Sequence, residues 1–320
     1  TLDELKDHLF TLPDQPEIIP YVTSYYEKRW GFCLSHNDYL KLKDGLYEVK
    51  IDSNLEPGSL TYGDLIIEGE SNFETLISTY ICHPSMANNE LSGPVVATYL
   101  AKHIISMMGK PKYTYRFIFC PETIGAITYI SKHLDHLKKK VVAGYVITCI
   151  GAPGRFSYVQ TRKENSLVDR ITMHVLKHSD HDYKVYPFLS RRSDERQYNS
   201  PGVDLPIGCL MKTKYGSFPE YHTSADNLKF VVPESLNESL KMYICCIEAL
   251  ENNQKNQTSI LCEPQLGKRG LYPKLSRKGS SESVRMMKDL ISYSDGSNDL
   301  LGIAEKIDCP IWELYPLVEK

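Results

Sequence analysis

Four short apolar runs predict the strands of a buried sheet. They are rich in β-branched and aromatic residues, as strands covered on both faces are, and they occupy residues 75–82, 113–120, 143–150 and 205–211. Amphipathic stretches between them predict helices, one beginning with Ser92 as N-cap and another running from Glu234 to Leu250. This alternation predicts an α/β fold with a mostly parallel twisted sheet and helices on both faces.

Two regions depart from this alternation. Residues 36–72 have the pattern of short strands and turns, as in GLYEVKIDS at 45–53, and predict a small β insert. After a polar stretch beyond Asn252, residues 281–320 predict three short helices, with Pro310 at a boundary. We therefore expect an α/β domain (1–35 and 73–260), the insert (36–72) and a complete or truncated winged helix-turn-helix-like module (270–320).

An aromatic stretch and a histidine-rich stretch admit two interpretations each. Residues 21–30 (YVTSYYEKRW) and Phe32 predict a helix packed on the core, or a substrate wall that includes Tyr25 or Trp30. His174, His178 and His181 have helical spacing that could mimic a metal-binding face, but the surrounding KHSDHD segment is polar. We interpret these three histidines as a solvated surface.

Composition excludes few functions but sets the class of protein. The 320 residues are 42% hydrophobic and 24% charged, as in ordinary globular proteins. A net charge of -3 gives no general reason to expect a nucleic-acid partner. No apolar run approaches the roughly 20 residues of a membrane span. Several of the nine cysteines lie in apolar runs, which favours reduced thiols and a cytoplasmic protein.

Polar residues that can ligate a metal or accept a proton follow the predicted strands. His83 and His222 offer imidazoles that can ligate zinc. Glu122 follows a very apolar strand, and a carboxylate there can accept a proton from metal-bound water. Each residue also has an ordinary interpretation: a structural or surface histidine, or a helix N-terminal carboxylate favoured by the macrodipole.

Four segments in fixed order, 81–93, 119–125, 146–151 and 221–227, resemble those of the zinc aminopeptidase superfamily (clan MH), which includes bacterial leucyl aminopeptidase, glutamate carboxypeptidase and glutaminyl cyclase. The resemblance spans residues 75–250. It implies that His83 and His222 are metal ligands and that Glu122 is the general base.

The sequence departs from this pattern at three positions. Asn89, Thr123 and Thr148 stand where the superfamily has carboxylates, and amide or hydroxyl oxygens are weaker zinc ligands. Glu90, or Asp194 or Glu195, could supply the missing carboxylate, so we expect one zinc per chain rather than two. The resulting candidates are Glu122 as catalytic residue, the metal ligands His83, His222, Glu90, Asn89 and Asp194, and the substrate-binding residues Glu195, Arg196, Tyr221 and Thr148.

Nearly the whole chain is similar to a group of bacterial aminopeptidase-like proteins with a β insert and a C-terminal winged helix-turn-helix. The similar stretches are 21–36, 79–94, 121–130, 193–202 and 219–228. Members often accompany surface-polysaccharide biosynthesis genes, which implies an amino-sugar or glycoconjugate substrate rather than a dietary peptide. Together with the aminopeptidase resemblance, this leads us to expect a small peptide or an amino-sugar amide as substrate.

Three functions follow from these observations. The first is a metal-dependent amide hydrolase. The second is a binding protein with a remodelled aminopeptidase cleft, and the third is a regulator that acts through the C-terminal module. Residues 301–317 contain more acidic than basic side chains, whereas a DNA-reading helix offers Arg or Lys. We therefore expect the module to bind a protein partner or to form a homo-oligomer, with no nucleic-acid or membrane partner.

Overall fold

A computed structural model describes residues 1–24, 27–107, 109–272 and 282–319. Within these ranges, the strands are β1 (Leu9–Phe10), β2 (Phe32–Cys33), β3 (Gly63–Ile67), β4 (Glu74–Tyr80), β5 (Thr114–Cys120), β6 (Val141–Val146), β7 (Phe156–Val159), β8 (Tyr183–Tyr186), β9 (Ile207–Met211), β10 (Lys255–Gln257) and β11 (Asp295–Asp299).

The α-helices in the same ranges are α1 (Leu2–Lys6), α2 (His36–Tyr39), α3 (Ser92–Met107), α4 (Ile124–Lys140), α5 (Leu167–Lys177), α6 (Glu195–Tyr198), α7 (Pro233–Asn252), α8 (Glu282–Tyr293), α9 (Leu300–Ile307) and α10 (Ile311–Val318). A π-helical turn, Ala87–Leu91, leads directly into α3. Two 3₁₀ turns lie at Phe188–Ser190 and Leu266–Arg269.

Seven strands form one mostly parallel sheet in the order β3-β5-β4-β6-β9-β7-β8. The pairs β3/β5 and β7/β9 are antiparallel, and the other four pairs are parallel. One face packs against α3, α5 and α7, and the other against α4 and α6. The four predicted strands correspond to β4, β5, β6 and β9. This confirms the predicted α/β fold class.

The region 36–72 contributes an edge strand to this sheet. Its strand β3 pairs antiparallel with β5 and is held there by Arg116, which donates to Asp64 (3.2 Å) and to Glu74 (2.7 Å). The strand expected at 45–53 is not formed, and Leu46 within that stretch is exposed. An alternating pattern alone therefore overestimated the strand content here, because no strand in the described part of the chain pairs with 45–53.

The helix predicted at 21–30 is also wrong in the part of this stretch that the structure describes. Pro20 forms a β-bridge with Thr223, and the Tyr21 N–H donates to the carbonyl of His222 (3.1 Å). The loop at 222–224 thus takes up the backbone groups that a helix would need. Trp30 stacks on His8 and remains 41% exposed, so it does not pack on the core. Tyr25 lies outside the described residues.

The three helices predicted near the C-terminus are confirmed as α8, α9 and α10. They join the main core: Leu301, Ile311 and Leu314 are fully buried in the same cluster as residues of α5 and α7. Strand β10 was not predicted, because the stretch after Asn252 in which it lies is polar. It pairs antiparallel with β11.

The interpretation of the α5 histidines as a solvated surface is wrong for His174. It is buried, and its Nε2 accepts the Ile311 N–H at 2.9 Å. The KHSDHD segment shortly after His174 is polar, so the sequence did not indicate that its ring faces the C-terminal module. Among the described helices, none combines the length and the hydropathy of a membrane span.

Candidate active site

Three of the predicted residues meet at the carboxyl edge of the sheet. His83 lies three residues after β4 and is buried, and Glu122 lies two residues after β5. The Nε2 of His83 is 3.6 Å from a carboxylate oxygen of Glu122, and its ring centroid is 5.2 Å from that of His222. Parallel strands end at a common edge, which explains how residues so distant in sequence converge.

Glu90 approaches the opposite nitrogen of His83. Its Oε2 lies 2.9 Å from His83 Nδ1, and its Oε1 accepts the backbone N–H of Cys82. Burial by itself lowers the pKa of His83, but hydrogen bonds to Cys82 and Glu90 and the charge of Glu122 outweigh it and raise the pKa to about 10. Without a bound ion, His83 is therefore an imidazolium between two carboxylates.

The π-helical turn that carries Glu90 is held by Asp226. This buried carboxylate accepts the backbone N–H groups of Asn88 (2.6 Å) and Asn89 (2.9 Å). The expectation that Ser92 is an N-cap is wrong, because the turn continues without a break into α3. The Ser92 hydroxyl donates instead to the carbonyl of Asn88.

Asn89 and Thr148 lie in a buried hydrogen-bond network between β4 and the end of β6. The Tyr80 hydroxyl donates to Asn89 Oδ1 (3.2 Å), and the Thr148 hydroxyl donates to the Asn89 carbonyl (3.1 Å). Asn89 and Thr148 are each only 1% exposed. In this structure both side chains brace the neighbouring backbone, and Thr148 is not accessible to a substrate.

A tight turn presents Glu122 at the sheet edge. Thr123 has φ 63° and ψ −70°, and the Ile124 N–H donates to the Glu122 carbonyl, which defines a γ-turn of the strained kind. Asp194 accepts the Thr123 N–H at 2.7 Å, and Ser193 donates to Glu122 Oε1 at 2.8 Å. The segment 193–196 thus supports both the turn and the carboxylate.

Asp194 itself is completely buried, and its second oxygen has no partner among the described residues. Burial, followed by the negative charge of Glu122, raises the pKa of Asp194 to about 8. Burial likewise raises the pKa of Glu122. The pKa values of Asp194 and Glu122 are thus both raised by burial, and a nearby cation would stabilise their charged forms.

The predicted substrate-binding residues in this segment differ in their positions. Glu195 is fully buried, and its Oε1 accepts from Tyr215 and from the backbone of Arg192 and Ser193, so it braces the loop. Arg196 is exposed and donates to the Thr123 hydroxyl at 2.7 Å. Of these two residues, only Arg196 can face a substrate.

Aromatic rings surround His222. Tyr221 stacks on it with ring centroids 3.9 Å apart. Tyr21 approaches both His222 (5.3 Å) and His83 (5.7 Å). The sequence analysis did not place Tyr21 at the site, because its position depends on the bridge between Pro20 and Thr223. Burial, followed by the charge of His83, lowers the pKa of His222 to about 4, so this imidazole is neutral and able to ligate a metal.

Cys82 is the second residue that the sequence analysis missed. Its sulfur, a nitrogen of His83 and an oxygen of Glu90 all lie within 4.8 Å of one another. A cavity of about 300 Å³ opens beside this group, lined in part by Ile81, Pro84, Met86 and Leu91. Cys82 directly precedes His83 in sequence, which is the signal that could have identified it.

Residues 10–253 match a family described as a domain of unknown function (DUF4910), and residues 254–320 match a winged helix-turn-helix family. The chain belongs to the DUF4910 family. A relative from Clostridium acetobutylicum, provisionally named a polysaccharide biosynthesis protein with an aminopeptidase-like domain, is 46% identical over 310 residues, covering 96% of this chain and 70% of the relative.

Solved structures support the fold of this DUF4910 member. A crystal structure from Clostridium acetobutylicum, provisionally described as a peptidase, is 44% identical with a TM-score of 0.92, covering 100% of this chain and 72% of that one. A zinc aminopeptidase from Bacillus subtilis has a TM-score of 0.50 at 14% identity, over 58% of this chain and 49% of its own. The core is therefore an aminopeptidase-like fold followed by a winged-helix module.

Proposed function

We propose that the protein is a metal-dependent, aminopeptidase-like hydrolase of an amide bond. The observation that carries this proposal is the convergence of His83, His222 and Glu122 at one edge of an aminopeptidase-like sheet, beside buried carboxylates. An imidazole pair next to carboxylates is a donor set typical of zinc.

The types of donor present fit one ion, and among the described residues those of Cys82, His83 and Glu90 already lie within 4.8 Å of one another. His83 and His222 would hold it together with a carboxylate from Glu90 or Asp194, and the unpartnered oxygen of Asp194 supports a cation nearby. Zinc in such a site supplies Lewis acidity, which polarises a carbonyl and makes water more acidic. The amide of Asn89 is already hydrogen bonded to Tyr80, so we leave it out of the ligand set.

Glu122 is the proposed general base. Ser193 holds one of its oxygens, and the other faces His83. Its raised pKa suits a carboxylate that accepts a proton from water and then returns it to the leaving amine. Arg196 and Tyr221 lie beside Thr123 and His222 and would contact the substrate around this centre.

The proposed substrate is a small peptide or an amino-sugar amide. Support for the sugar comes from the name of the Clostridium acetobutylicum relative, which refers to polysaccharide biosynthesis. The aminopeptidase-like fold supports the amide bond.

A second candidate function is a binding protein with a remodelled cleft. Its support is the replacement of three carboxylate positions by Asn89, Thr123 and Thr148, of which Asn89 and Thr148 already form buried hydrogen bonds.

The C-terminal module is a candidate for protein association rather than DNA reading. Glu313 on α10 and Glu319, the residue directly after this helix, are exposed and repel phosphate.

The test combines metal analysis with turnover. The protein, purified without an affinity tag or chelator, should contain about one zinc per chain, a stoichiometry that three-ligand sites support. His222→Ala should lose the zinc, whereas Glu122→Gln should keep it and lose hydrolysis of aminoacyl and N-acyl sugar amides. His103→Ala, a change on α3 outside the site, is the matched control. A parent protein that takes up no zinc would favour the binding protein.

A further inference from the structure

Cys82, His83 and Glu90 form a compact group of three metal donors. Cys82 Sγ lies 3.2 Å from His83 Nδ1, which lies 2.9 Å from Glu90 Oε2. Donors around one tetrahedral zinc are roughly 3.3–3.8 Å apart, given bond lengths of about 2.0–2.3 Å. Outward shifts on the order of 0.5 Å would therefore admit an ion between them.

The surroundings of Cys82 suit a thiolate ligand. The Glu122 backbone N–H donates to Cys82 Sγ at 3.2 Å, an interaction that stabilises negative charge on sulfur. Glu90 accepts the Cys82 backbone N–H, which fixes the position of the cysteine relative to the carboxylate. Unlike the buried Cys120 and Cys149, Cys82 is exposed, so an ion in solution can reach it.

We propose that Cys82, His83 through Nδ1, and Glu90 together bind one borderline-soft divalent ion, with Cys82 as a thiolate ligand. The inference rests on the proposed function for its catalytic purpose and deepens it by naming the donors. Glu90 supplies the carboxylate that Asn89 cannot, and Cys82 adds a second anionic ligand. On binding, the thiol and the imidazolium each release a proton to solvent as the metal–sulfur and metal–nitrogen bonds form.

This donor set has consequences for metal choice. A thiolate and an imidazole favour zinc or cobalt(II) over magnesium or manganese(II), which prefer oxygen ligands. Three protein ligands leave a fourth position for His222, whose ring lies 5.2 Å from that of His83. The site thus holds an ion without requiring the three replaced carboxylates.

Cobalt(II) provides the test because its bond to a thiolate produces a sulfur-to-cobalt charge-transfer band in the near ultraviolet. The full chain titrated with cobalt(II) should develop this band, and Cys82→Ser should lose it. Cys33→Ser and Cys262→Ser, at two other exposed cysteines, should keep it. Cobalt bound without the band, no cobalt bound at all, or a band that survives in Cys82→Ser would overturn the proposal.

A second measurement needs no variant. Zinc at about ten times its Kd should slow alkylation of Cys82 by iodoacetamide about tenfold by mass action, while Cys33 and Cys262 react at unchanged rates. Equal rates at Cys82 with and without zinc would contradict the proposal.

The two proposals fail in distinguishable ways. If the band and the protection are observed but no amide is hydrolysed, the metal site stands and the hydrolase is wrong. If Cys82→Ser keeps its zinc and its hydrolysis, the hydrolase stands and the thiolate ligand is wrong.

Discussion

A single buried carboxylate, Asp226, links two of the segments that build the candidate site. It follows His222 by four residues and binds the backbone of the turn that carries Glu90. The Asp of the His-Thr-Ser-Ala-Asp segment therefore has a structural purpose that its spacing alone does not reveal. It fixes the distance between the His222 loop and the Glu90 turn.

We predict that Asp226→Ala destabilises the fold by about 2–6 kcal/mol, because two buried N–H groups lose their acceptor at about 1–3 kcal/mol each. Urea unfolding followed by circular dichroism measures the loss. Asp180→Ala, at an exposed carboxylate, should change stability by less than about 0.5 kcal/mol. Equal stability of the two variants would show that other groups hold the turn.

For single residues, the sequence predicted which residues lie in the candidate site better than it predicted their hydrogen-bond partners. His83, Glu122 and His222 could be found because each follows a strand end or lies in a recognisable segment, and the structure brings them together. The buried side chains of Asn89 and Thr148 both form hydrogen bonds with the Tyr80 hydroxyl, which reaches them only in the folded sheet. Such tertiary contacts leave no periodic pattern in the sequence.

The N-terminus of α3 approaches the sheet more closely than any side chain at Gly93 would allow. A Cβ atom there would overlap the Ile147 carbonyl and the Thr79 hydroxyl, which themselves are hydrogen bonded across β4 and the end of β6 at 2.9 Å. The absence of a side chain at this position lets α3 and the preceding π-helical turn lie against both strands. Glycine after Ser92 is thus a packing requirement.

Gly93→Ala should therefore cost about 1–3 kcal/mol through overpacking and displace the turn that carries Glu90. Thermal unfolding should show a lower Tm for this variant. Gly58→Ala is the matched control, because nothing lies within 4 Å of its added Cβ. Gly58→Ala should leave stability unchanged, or raise it slightly by reducing the conformational entropy of the unfolded chain. A Gly93→Ala protein as stable as the parent would contradict the close-approach argument.

Long periodic elements were predictable, and elements that depend on a distant partner were not. The strands β4, β5, β6 and β9 and the helices α3 and α7 follow from apolar patterns. The segment 21–30 has helix-like composition, but the backbone at its start pairs with the His222 loop. Strand β10 is polar and is formed only because β11 lies beside it.

The winged-helix module and the α/β domain form one continuous core. Arg170 on α5 bridges Asp299 and Glu305, and Lys177 bonds Asp308. The apolar faces of α9 and α10 pack with α5 and α7. Because part of α10 is buried in this way, the module is a fixed component of the molecule, which favours a role in shaping or joining protein surfaces.

His174 makes this joint sensitive to acid. It accepts a backbone N–H from α10, and burial, followed by the positive charges of His178, Lys177 and Arg170, lowers its pKa to about 4, against the opposing effect of Asp308. In the unfolded chain its pKa returns to about 6.5. Between these values the unfolded state binds a proton that the folded state rejects, so stability is full above pH 6.5 and falls as pH decreases toward 4.

We predict that this residue contributes a loss of up to about 3 kcal/mol between pH 7 and pH 4.5. His174→Gln, whose amide oxygen can still accept the Ile311 N–H, should reduce the slope of stability against pH over that range without removing it, because the lowered pKa of His222 contributes in the same direction. Urea unfolding at a series of pH values measures the slope. His103→Gln should retain the parental slope. The salt-bridged Asp299, whose pKa lies below its usual value despite burial because of Arg170 and Asn253, loses its contribution only at lower pH. A slope in His174→Gln as steep as that of the parent would therefore place the acid sensitivity outside this joint.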